Sequence, residues 1–160
     1  MAPLAERRYL SAPATAPLSL ALLVAVACGG RTVDPIPRLL DDLEDAAEAR
    51  DADRFAESLG EGFRGPGTMD KAEARATLRR YFAAYEAVSL GVYGVETERE
   101  GALARVRCRV EFSGQARKAF GLEGLLPPAA LYRFDLEARD EGSGAWRVHR
   151  ASWEAVEPAP

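Results

Sequence analysis

The residues best suited to acid–base chemistry crowd into one stretch near the end of the chain, GAWRVHRASWE (144–154), which holds the single histidine and both tryptophans. Imidazole titrates near neutrality, so His149 is the natural candidate for a general base. Parity along a strand decides whether it can act. Trp146 and Val148 share one face, whereas Arg147, His149, Ala151 and Trp153 share the other, so the two tryptophans cannot both face inward on a regular strand. Either a bulge follows Val148 and flips the register, or both faces of the strand are covered, the outer one by a second subunit.

Other reactive groups are sparse. Cys108 stands between Val106 and Val110 on an apolar face, where a thiol is inert and without an assigned base. Arg105, Arg107 and Arg109 form a basic row that pairs with Asp135 and Glu137 across strands or meets an anionic ligand or partner. No group of His, Cys and carboxylates has metal-ligand spacing, and no GxSxG, P-loop or dinucleotide fingerprint occurs, so neither metal nor cofactor is expected.

These residues need elements to hold them. Pro37 suits a first helical position, and Leu39, Leu40, Leu43, Ala46 and Ala47 then recur on one face. Asp51 caps a second, shorter helix carrying Phe55 and Leu59, which Gly60 and Gly62 would end. A third helix opens at Asp70, with Glu73 at capping-box spacing, and runs to about Glu86. Its Leu78, Tyr81, Phe82 and Tyr85 make a stripe that is either core or ligand wall.

After Ala87 the period becomes two. Ala104, Val106, Cys108, Val110 and Phe112 alternate with Arg105, Arg107, Arg109 and Glu111; Tyr132, Phe134, Leu136 and Ala138 alternate with Arg133, Asp135, Glu137 and Arg139. Turn signals at Glu100-Gly101 and over 140–144 join four strands into an antiparallel meander, which Gly91 and Gly94 would bend. The segment 114–129 is long for a hairpin loop and carries Phe120, Leu122, Leu125 and Leu126: a lid, a docking surface or a short packed helix. The fold class is therefore α+β, three N-terminal helices packed on a curved antiparallel sheet of about four strands.

The first thirty residues read as an address. Arg7 and Arg8 precede an apolar run from Pro17 to Ala27, about half the roughly 20 residues that a membrane-spanning helix needs. The chain is thus expected to be exported. Ala25-Val26-Ala27-Cys28 resembles a bacterial lipobox, in which Cys28 becomes the acylated first residue, although such boxes usually carry Leu where Ala25 stands. The same residues are an A-x-A site for ordinary signal peptidase, which would release a soluble protein. The expected organisation is a signal peptide over 1–27, a lipidated Cys28 and tether over 28–36, one domain over 37–155 and a disordered tail over 156–160. A chain of 160 residues suits one core, and a formal charge of −4 argues against nucleic acid as a partner.

The opening EARDADRFAESL, the helix DKAEARATLRRYFAAYE, the strand GALARVRCRVEFSG and the closing GAWRVHRASW together resemble the nuclear transport factor 2-like superfamily, which includes SnoaL-like cyclases and ketosteroid isomerases. The resemblance covers about residues 37–154 and implies a cone-shaped, cystatin-like fold with a pocket between sheet and helices. It also implies a homodimer through the outer sheet face. The pocket candidates are Tyr81, Phe82, Tyr85, Tyr93, Phe112, Tyr132, Phe134 and Trp146. Enzymes of that superfamily use an Asp or His in the pocket, yet Glu111, Asp135 and Glu137 all have outward parity here. The expected function is a lipid-anchored protein of the bacterial cell envelope that binds an apolar small molecule or a protein partner without chemistry of its own. The alternative is a small envelope isomerase, cyclase or hydratase using His149 and a tyrosine.

Overall fold

Each helix starts where a carboxylate caps it. The computed structural model describes residues 34–116, 129–142 and 144–156. Helix α1 spans Pro35–Glu48, with Asp34 accepting the Ile36 N–H at 3.1 Å. It therefore begins two residues before Pro37, because both prolines fall in the first turn, where the missing N–H groups have no helical partner anyway. Ile36, assigned to the tether by its sequence neighbours, is fully buried and belongs to the core. Helix α2 spans Ala52–Glu57 under the expected Asp51 cap, whose Oδ1 accepts from the Asp53 and Arg54 N–H groups.

The expected break after α2 contains a strand instead. Strand β1, Leu59–Arg64, pairs parallel to the last strand, so the sheet has five strands rather than about four. Gly60 and Gly62 hid it: glycine lowers strand propensity, and the pairing partner is nearly ninety residues away. Helix α3, Lys71–Ala84, opens on a complete Asp70–Glu73 capping box. It stops two residues short of Glu86, because Tyr85 is already extended (φ −113°, ψ 144°) and starts the next strand.

Strands β2 (Tyr85–Glu100), β3 (Leu103–Ala116), β4 (Ala129–Asp140) and β5 (Trp146–Ala155) form the expected antiparallel meander, and the full order is β1-β5-β4-β3-β2. Gly101 turns β2 into β3 with φ 59°, and Gly142 and Gly144 take positive φ in the next turn. Of the register shifts in the sheet, two bulges bear on the site. Gly94 and Val95 lie between the Tyr93–Arg109 and Glu96–Arg107 pairs, opposite Cys108 alone, with Gly94 at φ 59°. On β5, Val148 faces Ala138 and Arg150 faces Glu137, leaving His149 as the extra residue.

That second bulge decides the parity question. Beyond it Ala151 faces Leu136 and Trp153 faces Phe134, so both tryptophans lie on the inner face. The helices cover this face: Ile36 and Leu39 pack with Leu59, Phe63, Ala104, Val106, Ala138, Trp146, Val148 and Ala151. A smaller cluster of Ala47, Ala52 and Phe82 joins α1, α2 and α3.

Candidate functional site

Toward the far ends of β3 and β4 the inner face changes from aliphatic to aromatic. Phe112, Tyr132 and Phe134 follow the same parity as the core residues Val106 and Ala138, and β5 adds Trp153. The Phe134 and Trp153 rings stack at 5.6 Å, Tyr132 meets Phe134 edge-on at 6.4 Å, and Tyr85 meets Phe112 edge-on at 5.2 Å. Gly114 makes the last contact feasible, because a Cβ there would lie 2.6 Å from the Tyr85 ring and 2.9 Å from Phe112. Tyr85 is buried, whereas Tyr81 and Trp153 keep 53% and 39% of their surface exposed, so the wall has an accessible rim.

The polar groups of the wall residues are phenols and a thiol, and the Glu48 carboxylate accepts from the Ser89 hydroxyl and the Leu90 N–H beside Phe112. Burial pushes the Tyr85 hydroxyl above its ordinary range, and the nearby Tyr81 and Tyr132 phenols add to the shift. Burial likewise raises the Cys108 thiol, with Asp135 adding to it, so Cys108 stays protonated as expected. Among the described residues no charged or other polar side chain is buried. Asp135 and Glu137 point outward to Arg107 and Arg139, at 3.2 and 2.6 Å.

His149 belongs to a different setting. Its Nε2 lies 2.9 Å from Glu141 Oε1, and Glu141 Oε2 accepts the Arg147 Nε–H at 2.9 Å. Its ring rests on the Gly60 backbone, where a Cβ would come within 2.5 Å of Nε2. The bulge lies at Ala138, six residues along β4 from Tyr132. That is about 20 Å of strand, so histidine and the tyrosines do not converge. No cluster of metal-ligating side chains occurs among the described residues.

A separate cleft of about 450 Å³ opens at the other end of the domain, lined among others by Pro35, Arg38 and Asp42 of α1, by Glu57, and by Trp146 and Arg147. The Arg99 guanidinium covers the Trp146 ring at 4.8 Å.

No protein-family model and no curated protein matches the chain by sequence. Solved structures do match in three dimensions. Bdellovibrio bacteriovorus Bd1075 superposes with a TM-score of 0.63 and 13% identity over 76% of this chain, which spans 40% of that protein's length. A protein of Novosphingobium aromaticivorans provisionally assigned as a scytalone dehydratase gives 0.66 and 14%, covering 77% of this chain and 83% of its own. A provisionally assigned dehydratase of the NTF2-like family from Streptomyces avermitilis gives 0.64 and 15%, covering 78% and 96%. This domain has the NTF2-like fold.

Within that fold the expected pocket residues divide. Tyr85, Phe112, Tyr132 and Phe134 form the wall and Tyr81 its rim. Phe82 packs in the cluster of Ala47 and Ala52 against which Leu90 of β2, the partner of Phe112, also packs; Tyr93 folds over Gly91 on the outer parity, and Trp146 sits in the core beside the cleft. Helix α3 ends before Tyr85, and β2 carries the Gly94 bulge, neither of which stripe periodicity shows. Trp153 was missed; the signal was the bulge after Val148, which the clash of the two tryptophans already suggested. The segment 117–128, with Phe120, Leu122, Leu125 and Leu126, lies outside the described residues, as do the signal peptide, Cys28, the tether up to Val33 and the last four residues. Among the described residues no helix is long and apolar enough to cross a membrane.

Proposed function

We propose that this is an exported, lipid-anchored protein of the cell envelope whose NTF2-like domain holds an apolar, ring-containing small molecule without transforming it. The observation that carries the reading is the wall of Phe112, Tyr132, Phe134 and Trp153, where the one carboxylate shown next to Phe112 among the described residues, Glu48, is already engaged by the Ser89 hydroxyl at 3.0 Å and the Leu90 N–H at 2.9 Å. Stacked rings hold flat apolar ligands, and phenols orient them through single hydrogen bonds; proton abstraction needs a base aimed at the ligand, and among the described residues Glu48 is instead bonded to Ser89 and Leu90.

The enzyme alternative draws on the dehydratase names of two similar structures. Against it stands His149, tied to Glu141 about 20 Å along the sheet from the tyrosines.

The test is titration of the Cys28→Ala chain with N-phenyl-1-naphthylamine, read by the probe's own fluorescence. Saturable binding is expected, weakened about tenfold by Trp153→Ala and unchanged by Tyr93→Ala on the outer face. Binding that ignores Trp153→Ala would sink the reading. For the anchor, wild type should partition into the detergent phase and Cys28→Ala into the aqueous one; identical partitioning removes the anchor.

A further inference from the structure

The aromatic wall leaves the cleft beside α1 without a role, and its charges are unusual. Arg38 and Asp42 stand one turn apart on α1, yet neither is bonded to another side chain among the described residues. The Glu57 carboxylate is also unpaired there; its carbonyl oxygen accepts the Arg147 Nη1–H at 2.8 Å. Arg147 is held in place by that bond and by Glu141, so it frames the cleft, and Trp146 supplies an apolar floor. The chain enters the domain at this rim, since Pro35 lines the cleft and opens α1.

We infer that this cleft takes the headgroup of a membrane phospholipid, a zwitterionic phosphoethanolamine, with its phosphate on Arg38 and its ammonium between Asp42 and Glu57. The inference rests on the lipid-anchor reading, because the anchor brings the bilayer within reach. Seven residues lead from Cys28 to Pro35, which is at most about 25 Å of extended chain. So short a tether raises the local concentration of headgroups and with it the occupancy of a contact that the untethered chain also makes. Charge complementarity selects the headgroup type. Arg54 and Arg147 also line the cleft but are paired, with Asp45 at 3.3 Å and Glu141 at 2.9 Å, so among the described residues Arg38, Asp42 and Glu57 are the lining charges without a side-chain partner, and together they match a ligand bearing both signs. Phosphocholine carries no N–H for those carboxylates, so ethanolamine is preferred over choline. The volume, about 450 Å³, lies in the range of small-molecule sites. Bound this way, the domain stands with α1 and α2 toward the bilayer and its aromatic wall turned away from it.

The experiment uses the Cys28→Ala chain, so that acyl chains play no part, with Trp153→Phe added to leave Trp146 as the cleft's reporter. Vesicles contain phosphatidylglycerol with either phosphatidylethanolamine or phosphatidylcholine, plus a lipid carrying a nitroxide on its headgroup. Expected is quenching of Trp146 on the ethanolamine vesicles, clearly less on choline vesicles, and about tenfold weaker binding for Arg38→Glu. Equal quenching on both vesicles, no response to Arg38→Glu, or binding of soluble phosphoethanolamine without vesicle binding overturns the inference. If wild type partitions into water while Cys28→Ala still binds ethanolamine vesicles, the anchor reading fails and the headgroup site stands. If wild type is anchored and the vesicles are ignored, the reverse holds.

Discussion

Tyr85 is where three structural events meet: α3 ends, β2 begins and the aromatic wall closes over Gly114. Its carbonyl accepts the Arg50 Nη1–H at 2.9 Å, and Arg50 reaches it from a left-handed backbone position (φ 56°) just after α1. Because burial raises the Tyr85 hydroxyl in the folded state, the unfolded chain releases that proton first as pH rises. The stabilisation is therefore complete below the ordinary phenol range and is lost as pH climbs through the raised folded value. Chemical denaturation of wild type and Tyr85→Phe across the alkaline range should show the wild type losing stability more steeply; parallel profiles would mean that Tyr85 ionises in the folded protein as it does in water. At the acid end the sign reverses. Hydrogen bonds from Arg79, Lys71 and Arg139 hold Asp53, Glu61 and Glu137 low, so their contribution is present above the ordinary carboxylate range and fades as pH falls below it. These pairs are exposed, and salt weakens them.

At the scale of elements, the bulges separate what the sequence shows from what it conceals. The Gly94 bulge bends β2, and its backbone at φ 59° disfavours any side chain. Gly94→Ala should cost about 1–2 kcal/mol, a fall in Tm of roughly 3–8 °C, since the Arg109 guanidinium also sits 3.3 Å from the added methyl. Gly62→Ala in β1 meets open space and should leave Tm nearly unchanged, so thermal scans of the pair separate bulge strain from a general effect of adding a methyl to a strand. Period-two alternation made β3 and β4 readable, and the Asp51 and Asp70 caps marked two helix starts, because those signals are local. Strand β1 was unreadable because its stability comes from β5, far along the chain, and its glycines leave little side-chain pattern. The wall was half readable: Phe112, Tyr132 and Phe134 follow from parity, whereas Trp153 depends on where His149 bulges.

For the molecule as a whole, the outer sheet face determines how copies can meet. Its rows read Glu98, Arg105, Glu137, Arg150 and then Glu96, Arg107, Asp135, Ser152 across β2 to β5. Arg107 bonds Asp135 at 3.2 Å and Glu98 at 3.6 Å, while Arg133 bonds Glu154 at 2.7 Å. Such exposed pairs add little stability, but they fill the face with hydrated charge already matched within one chain. The homodimer implied by the resemblance to the superfamily would bury about 800 Å² per partner here and strip water from those charges. Apolar area to offset that cost is small among the described residues on this face, with Tyr93 half exposed on β2 and Leu131 two strands away on β4. The Cys28→Ala chain should therefore sediment as a monomer at micromolar concentration and stay monomeric at low salt. A dimer that dissociates in Arg107→Glu would show instead that the rows re-pair between subunits, with each arginine exchanging an internal carboxylate for one across the two-fold axis.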